Sequence, residues 1–319
     1  MPKALIAAIL AALSFAASGQ SYPTKPVHVI VPFATGGPDT VARLVCAELS
    51  NRWGQPFVIE NRPAANGIVG HEATARAAPD GYTIMVKSSG FVVAPSVYKK
   101  LPYDTERDFA PVTNIARNLG IFVVVHPSVP AKNLKEFIAW AKDPANKVSY
   151  SSPGIGNTLH LIGELFNARA GVKMVHVPYK GGGPAVAAVM SGEVQAMMAP
   201  AQLAIANVRG GKLRALAYSL PERSAALPDV PTAKEAGLDG FELDGGWFGM
   251  FAPANTPPEI VGRLQKEVRD IVMQGAMHDK LLQLGFGPVG DSPAQFKRFV
   301  SEEIRKYAEM AKLAHIEPE

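Results

Sequence analysis

Residues 27–43 read Val27-His28-Val29-Ile30-Val31-Pro32-Phe33-Ala34-Thr35-Gly36-Gly37-Pro38-Asp39-Thr40-Val41-Ala42-Arg43. Val27, Val29 and Val31 alternate with His28 and Ile30, an apolar run suited to a buried strand. Asp39 then stands where it can cap a helix carrying Val41, Leu44, Val45 and Leu49. Between them, Gly36 and Gly37 let the backbone approach a guest closely, and a new helix leaves N–H groups unpaired at its start. Strand, glycine loop and helix start together suit an anion. The same pattern also serves as an ordinary βα connection with no ligand.

The chain has 319 residues, enough for about two domains. With 47% hydrophobic and 19% charged residues, it has the composition of a soluble globular protein. The formal net charge of +4 is scattered, without basic runs interleaved with aromatics. That argues against nucleic acid as a partner and suits mild attraction of anionic solutes. Residues 1–20 differ from the rest. Lys3 precedes an apolar run over 4–17, and Ala16, Ala17, Ser18 and Gly19 follow, as in a cleaved signal peptide. The run falls short of the about 20 residues that span a bilayer, so the reading is an exported protein. Cys46 is the only cysteine, so no intrachain disulfide forms, and its helical apolar neighbours make it a core residue.

Further strands are expected over 57–61, 82–87, 120–126, 147–150, 173–178, 194–198, 213–218 and 247–251. Helices are expected over 71–78, 134–142, 159–170, 184–191, 202–208, 258–274 and 293–314, whereas 103–111 reads as loop. This alternation indicates an α/β architecture with largely parallel sheets. The unit of strand, small-residue loop and helix recurs at 82–90, 147–160 and 174–190. Ligands of open α/β sheets sit beyond the carboxyl ends of strands. If the early and middle units lie in separate lobes, they face one another across a cleft that closes by hinging.

Enzyme motifs begin and fail. Gly70-His71-Glu72 opens a zinc-protease pattern, but Ala75 stands where the second His is needed. Ser96-Val97-Tyr98-Lys99 matches Ser-x-x-Lys without the elements that support it. Gly154-Ile155-Gly156 is followed by Leu159 rather than a third Gly, and Gly210-Gly211-Lys212 by Leu213 rather than Ser or Thr. The seven histidines show no metal-ligand spacing. The loops offer donors without a nucleophile or base, as binding without chemistry requires.

Longer blocks carry a resemblance. Tyr22-Pro23-Thr24-Lys25-Pro26, the quoted 31–43 segment, Glu60-Asn61-Arg62 and Pro79-Asp80-Gly81-Tyr82-Thr83 fall in order. So do Asp108-Phe109-Ala110-Pro111-Val112, His176-Val177-Pro178-Tyr179-Lys180-Gly181 and Leu227-Pro228-Asp229-Val230-Pro231-Thr232. Together they resemble the Bug family of solute receptors, also called TctC-type, which serve tripartite tricarboxylate transporters.

The resemblance implies an α/β, two-lobed periplasmic-binding-protein-like fold of type II with two crossover hinge strands near 122–126 and 247–252. Lobe 1 would comprise 21–123 and 250–319, and lobe 2 would comprise 124–249. It implies a periplasmic, monomeric receptor with no catalytic residue, metal or cofactor. The ligand would be a small organic mono- or dicarboxylate, and the partners would be the permease subunits of a tripartite tricarboxylate transporter. The alternative is a ligand-sensing accessory protein that docks on a membrane sensor such as a sensor kinase. Carried over by position, lobe 1 would contribute Phe33, Thr35, Gly36, Gly37, Ser88 and Ser89 to the ligand. Lobe 2 would contribute Ser152, Gly156, Asn157, Thr158, Tyr179, Gly181 and Ala199. Two departures stand out. Pro38 leads directly into Asp39, one residue short of the family's loop, and Ala199-Pro200 lacks the acidic residue of many members, which argues against an ammonium-bearing ligand.

Overall fold

The computed structural model describes residues 22–314 apart from 35, 65 and 66, together with 316 and 318. The expected signal peptide and Thr35 lie outside the described residues. Two sheets organise the chain. The first has the order β11-β4-β10-β3-β1-β2. It comprises β1 (Val27–Val31), β2 (Phe57–Asn61), β3 (Thr83–Ser88), β4 (Phe109–Asn118), β10 (Trp247–Pro253) and β11 (Phe286–Pro288). The second has the order β7-β6-β8-β5-β9. It comprises β5 (Ile121–Val125), β6 (Ser149–Ser152), β7 (Val175–Pro178), β8 (Ala196–Pro200) and β9 (Arg214–Tyr218).

Each sheet has a parallel trio at one side, β2-β1-β3 in the first and β7-β6-β8 in the second. Next to each trio runs an antiparallel strand, β10 against β3 and β5 against β8. The expectation of largely parallel sheets is therefore corrected to mixed ones. The strands entered from the passages, β5 and β10, run opposite to the trios, whereas β4 and β9, which lead into the passages, run with them.

Helices α1 (Gly37–Trp53), α2 (Ile68–Ala75), α3 (Gly90–Val97), α8 (Pro258–Val272), α9 (Gly275–Gln283) and α10 (Pro293–Leu313) belong with the first sheet. Helices α4 (Leu134–Lys142), α5 (Thr158–Ala170), α6 (Gly182–Met190) and α7 (Ala201–Arg209) belong with the second. Local chemistry sets their ends. Gly54 in the left-handed region stops α1, Asn157 caps α5, and a Ser292/Gln295 capping box with Pro293 opens α10. Asp39 does not cap α1 as expected. The helix begins at Gly37, and Asp39 lies buried in its first turn, accepting from Arg43 Nε at 2.9 Å and Asn61 Nδ2 at 2.8 Å.

Several elements depart from the sequence reading: α9 and β11 occupy 275–288, where it has no element, and β4 and α3 break local rules. Phe109 to Asn118 forms β4 despite Pro111, because the pairing with β10 shifts register between Met250 and Phe251, opposite the proline. Helix α3 holds Pro95 and several β-branched residues, yet it is buried against α10, and packing outweighs local propensity.

The chain passes between sheets twice, at Leu119 and Gly120 and again on entering β10. The expected boundaries, 123/124 and 249/250, fall inside β5 and β10, each of which pairs along its whole length within one sheet. The passages are laced together. Asn118 N–H donates to Gly246 O at 2.8 Å, and Ile121 N–H donates to Ser219 Oγ at 2.8 Å. Each sheet has its own apolar core, and Leu161 of α5 reaches across into the cluster of Phe91, Trp247 and Phe251.

Candidate functional site

A cleft between the two α/β units encloses about 460 Å³ of empty space, mouth included. Five helices begin at it. Its wall contains Gly36, Gly37 and Pro38 from α1, Ser88 and Ser89 before α3, and Asn157, Thr158 and Leu159 from α5. Gly182 starts α6, and Pro200, Gln202 and Leu203 belong to α7 and its cap. In α1, α3, α6 and α7 no side chain caps the first turn, so those N–H groups stay open to a guest. Among the described residues the wall carries no charged side chain. The positive ends of the helix dipoles therefore set its field.

The glycines here have steric reasons. Gly36 sits at φ 151° and ψ −167°, a region reserved for glycine, and a β-carbon on it would lie 3.4 Å from Gly182 N in the opposite unit. On Gly37 a β-carbon would meet Phe248 Cζ at 2.6 Å. Phe33 closes one side of the cleft. The Lys87 Nζ lies 3.7 Å from the centroid of its ring, and complete burial pushes that amine well below its ordinary pKa.

The sequence-derived set divides in two. Phe33, Gly36, Gly37, Ser88, Ser89, Asn157 and Thr158 all line the cleft. The remaining described members stand behind it. Ser152 is fully buried, with Oγ 2.6 Å from His176 Nε2 and 3.1 Å from Gly154 O. The N–H of Gly156 points to His160 Nδ1 at 3.3 Å. Gly181 is the N-cap of α6, and Ala199 is buried in β8 one residue before Pro200. Tyr179 turns away, its hydroxyl donating to Glu193 Oε1 at 2.6 Å, and its phenol is raised to about 12 by burial and then by that carboxylate.

Beneath the 152–158 loop the rings of His160 and His176 stack with centroids 4.0 Å apart, and Tyr150 covers the other face of His176. Burial, with His160 adding to it, pushes His176 down to about 3, so the ring is neutral and accepts or donates within this loop support. The histidines are structural. Cys46 is likewise inert, its thiol raised to about 12 by burial.

Sequence reasoning missed Asn118, Gly245 and Phe248 near the passages, and Gln202 and Leu203 on α7. The α7 pair follows the rule applied elsewhere, strand end to helix start, and was legible at 199–203. Asn118 ends a strand that the sequence hides.

Two α/β units laced by paired passages, with helix starts converging on the cleft between them, define a periplasmic-binding-protein fold, the architecture of solute receptors. Residues 41–315 match the family model described as tripartite tricarboxylate transporter family receptor. The chain belongs to this family, TctC. The structure of the periplasmic binding protein BugD is similar at 33% identity, covering 93% of this chain and 100% of that one with a TM-score of 0.88. An R. palustris protein solved with adipate is 34% identical over 94% of this chain and 100% of that one, with a TM-score of 0.89. MatC from Rhodopseudomonas palustris, solved with bound malate, is 35% identical over 91% and 99%, with a TM-score of 0.85. The expectations of a Bug/TctC-type receptor and of a two-lobed α/β fold are met.

Proposed function

We propose that this protein is exported to the periplasm, closes its two units around a small organic mono- or dicarboxylate, and presents it to the permease subunits of a tripartite tricarboxylate transporter. One observation carries this reading: five helix starts, four of them without a side-chain cap, meet at an uncharged cleft. A carboxylate accepts from several such N–H groups at once, and a hydrogen bond to a charged group contributes about 1.5–3 kcal/mol. A few of them hold an anion without a buried arginine.

The passages at Leu119 and Gly120 and before Trp247 serve as the hinge in this reading, and Phe33, Gly36, Gly37, Ser88, Ser89, Asn157 and Thr158 meet the ligand. Thr35 joins them in this proposal by its place in the sequence, next to Gly36. Adipate and malate in relatives at 34% and 35% identity support the ligand class. Membership of the tripartite tricarboxylate transporter receptor family supports a membrane permease as the partner that supplies the translocation path.

A thermal-shift screen of the mature protein across C3–C8 carboxylates, aromatic acids and amino acids tests the reading. A carboxylate at 100 Kd adds about 2.7 kcal/mol of stability. A screen in which only sugars or cationic amines raise the melting temperature overturns it.

A further inference from the structure

Among the described residues, the wall of the cleft holds three buried polar atoms without a hydrogen-bond partner: Ser88 Oγ, Asn118 Oδ1 and Gln202 Oε1. They differ in what they can accept as a guest. A serine hydroxyl both donates and accepts, and a glutamine amide can turn to present its NH₂ to an anion. Asn118 has no such freedom. Its Nδ2 donates to Gly245 O at 2.5 Å, which leaves the side-chain carbonyl committed as an acceptor. The residue is 6% exposed, and its backbone is held as well, N–H to Gly246 O at 2.8 Å. A rigid, buried acceptor repels a carboxylate and is satisfied only by a donor.

We infer that Asn118 reads a neutral hydrogen-bond donor on the ligand, and that the preferred ligands are hydroxycarboxylates. This rests on the carboxylate reading above and narrows it. The helix starts take the carboxylate, and Asn118 Oδ1 takes the hydroxyl hydrogen on the carbon chain. An ammonium group is a poorer donor here, because among the described residues the wall offers no carboxylate to balance its charge. Since Asn118 also ties β4 to the returning passage through Gly245, the same contact couples ligand chemistry to the hinge.

Isothermal titration of the mature protein with two matched series tests the inference: succinate, malate, 2-fluorosuccinate and aspartate at C4, and adipate with 2-hydroxyadipate at C6. In whichever length binds, the hydroxy acid is expected to bind at least about 10-fold more tightly than its parent, since an unmade buried hydrogen bond costs that much or more. 2-Fluorosuccinate, similar in shape and lacking a donor, should gain nothing over succinate. Asn118→Leu should bring the hydroxy-to-parent ratio to within about 2-fold. Parents binding as tightly as hydroxy acids, aspartate binding more tightly than malate, or a preference that survives Asn118→Leu overturns the inference and leaves the carboxylate reading standing. If the variant does not fold, the fluoro arm on the unaltered protein decides. Failure of every acid in both series removes the carboxylate reading and this inference with it.

Discussion

The hydroxyls of Ser89 and Thr158 stand 2.7 Å apart, one at the start of α3 and the other at the start of α5, so a side-chain hydrogen bond joins the two units at the cleft. Both residues are buried, and Tyr307 of α10 stands close enough for the pair to act on its phenol. Ser89 is further fixed by its N–H donating to Trp247 O at 2.9 Å, at the first residue after the returning passage. The bond therefore sits between the cleft and the returning passage.

Ser89→Ala and Thr158→Val are each expected to weaken ligand affinity about 5–10-fold, the worth of one net hydrogen bond. The double variant should lose less than the sum, with an interaction of about 0.5–1.5 kcal/mol in a double-mutant cycle read by calorimetry. Additive losses would mean that the two hydroxyls act separately.

Gly36 to alanine introduces strain of about 1–3 kcal/mol at a backbone region that only glycine occupies comfortably. It also places a β-carbon against Gly182 of the opposite unit, in the seam between the two. The expected result is a folded protein with affinity reduced by more than about 10-fold, checked by calorimetry alongside circular dichroism.

Tyr179 supplies the converse. Because its hydroxyl is engaged with Glu193 and not with the cleft, Tyr179→Phe should leave affinity within about 2-fold while losing one surface hydrogen bond. A large loss of affinity would return Tyr179 to the site.

Acid should destabilise this fold before its carboxylates titrate. His176 is held near 3 and His71 well below the ordinary value, both chiefly by burial. An unfolded chain protonates these rings below about pH 6.5, so between that pH and the lowered native values the unfolded state binds more protons. Stability then falls as pH falls through that window. The melting temperature should drop from pH 7 to pH 5, and His176→Gln should flatten the slope.

Much of the architecture was legible because it rests on local signals. Val27 to Val31, Phe57 to Asn61 and Leu134 to Lys142 lie where their periodicity puts them. The half of the site that falls at loop-to-helix starts was legible for the same reason, since glycine and serine at a strand's end announce close backbone approach. What stayed hidden depends on partners distant in sequence. Nothing local in 109–118 reveals that β10 will pair with it around Pro111, and so Asn118 passed unnoticed. That Tyr179 turns toward Glu193 was hidden for a like reason, since loop position does not tell which way a side chain turns. Asp39 was read as a cap, whereas contacts from Asn61, in the neighbouring strand, draw it into the first turn.

On the proposed reading, converging helix starts recognise the charge of a carboxylate. The most direct measurement is a calorimetric titration, at pH 7.5, of the tightest acid from the screen against its primary amide, which keeps the shape and loses the charge. Several charge-assisted bonds are at stake, so the amide is expected to bind at least about 100-fold more weakly. Equal affinity for acid and amide would rule out charge recognition, for the cleft would then be reading shape alone.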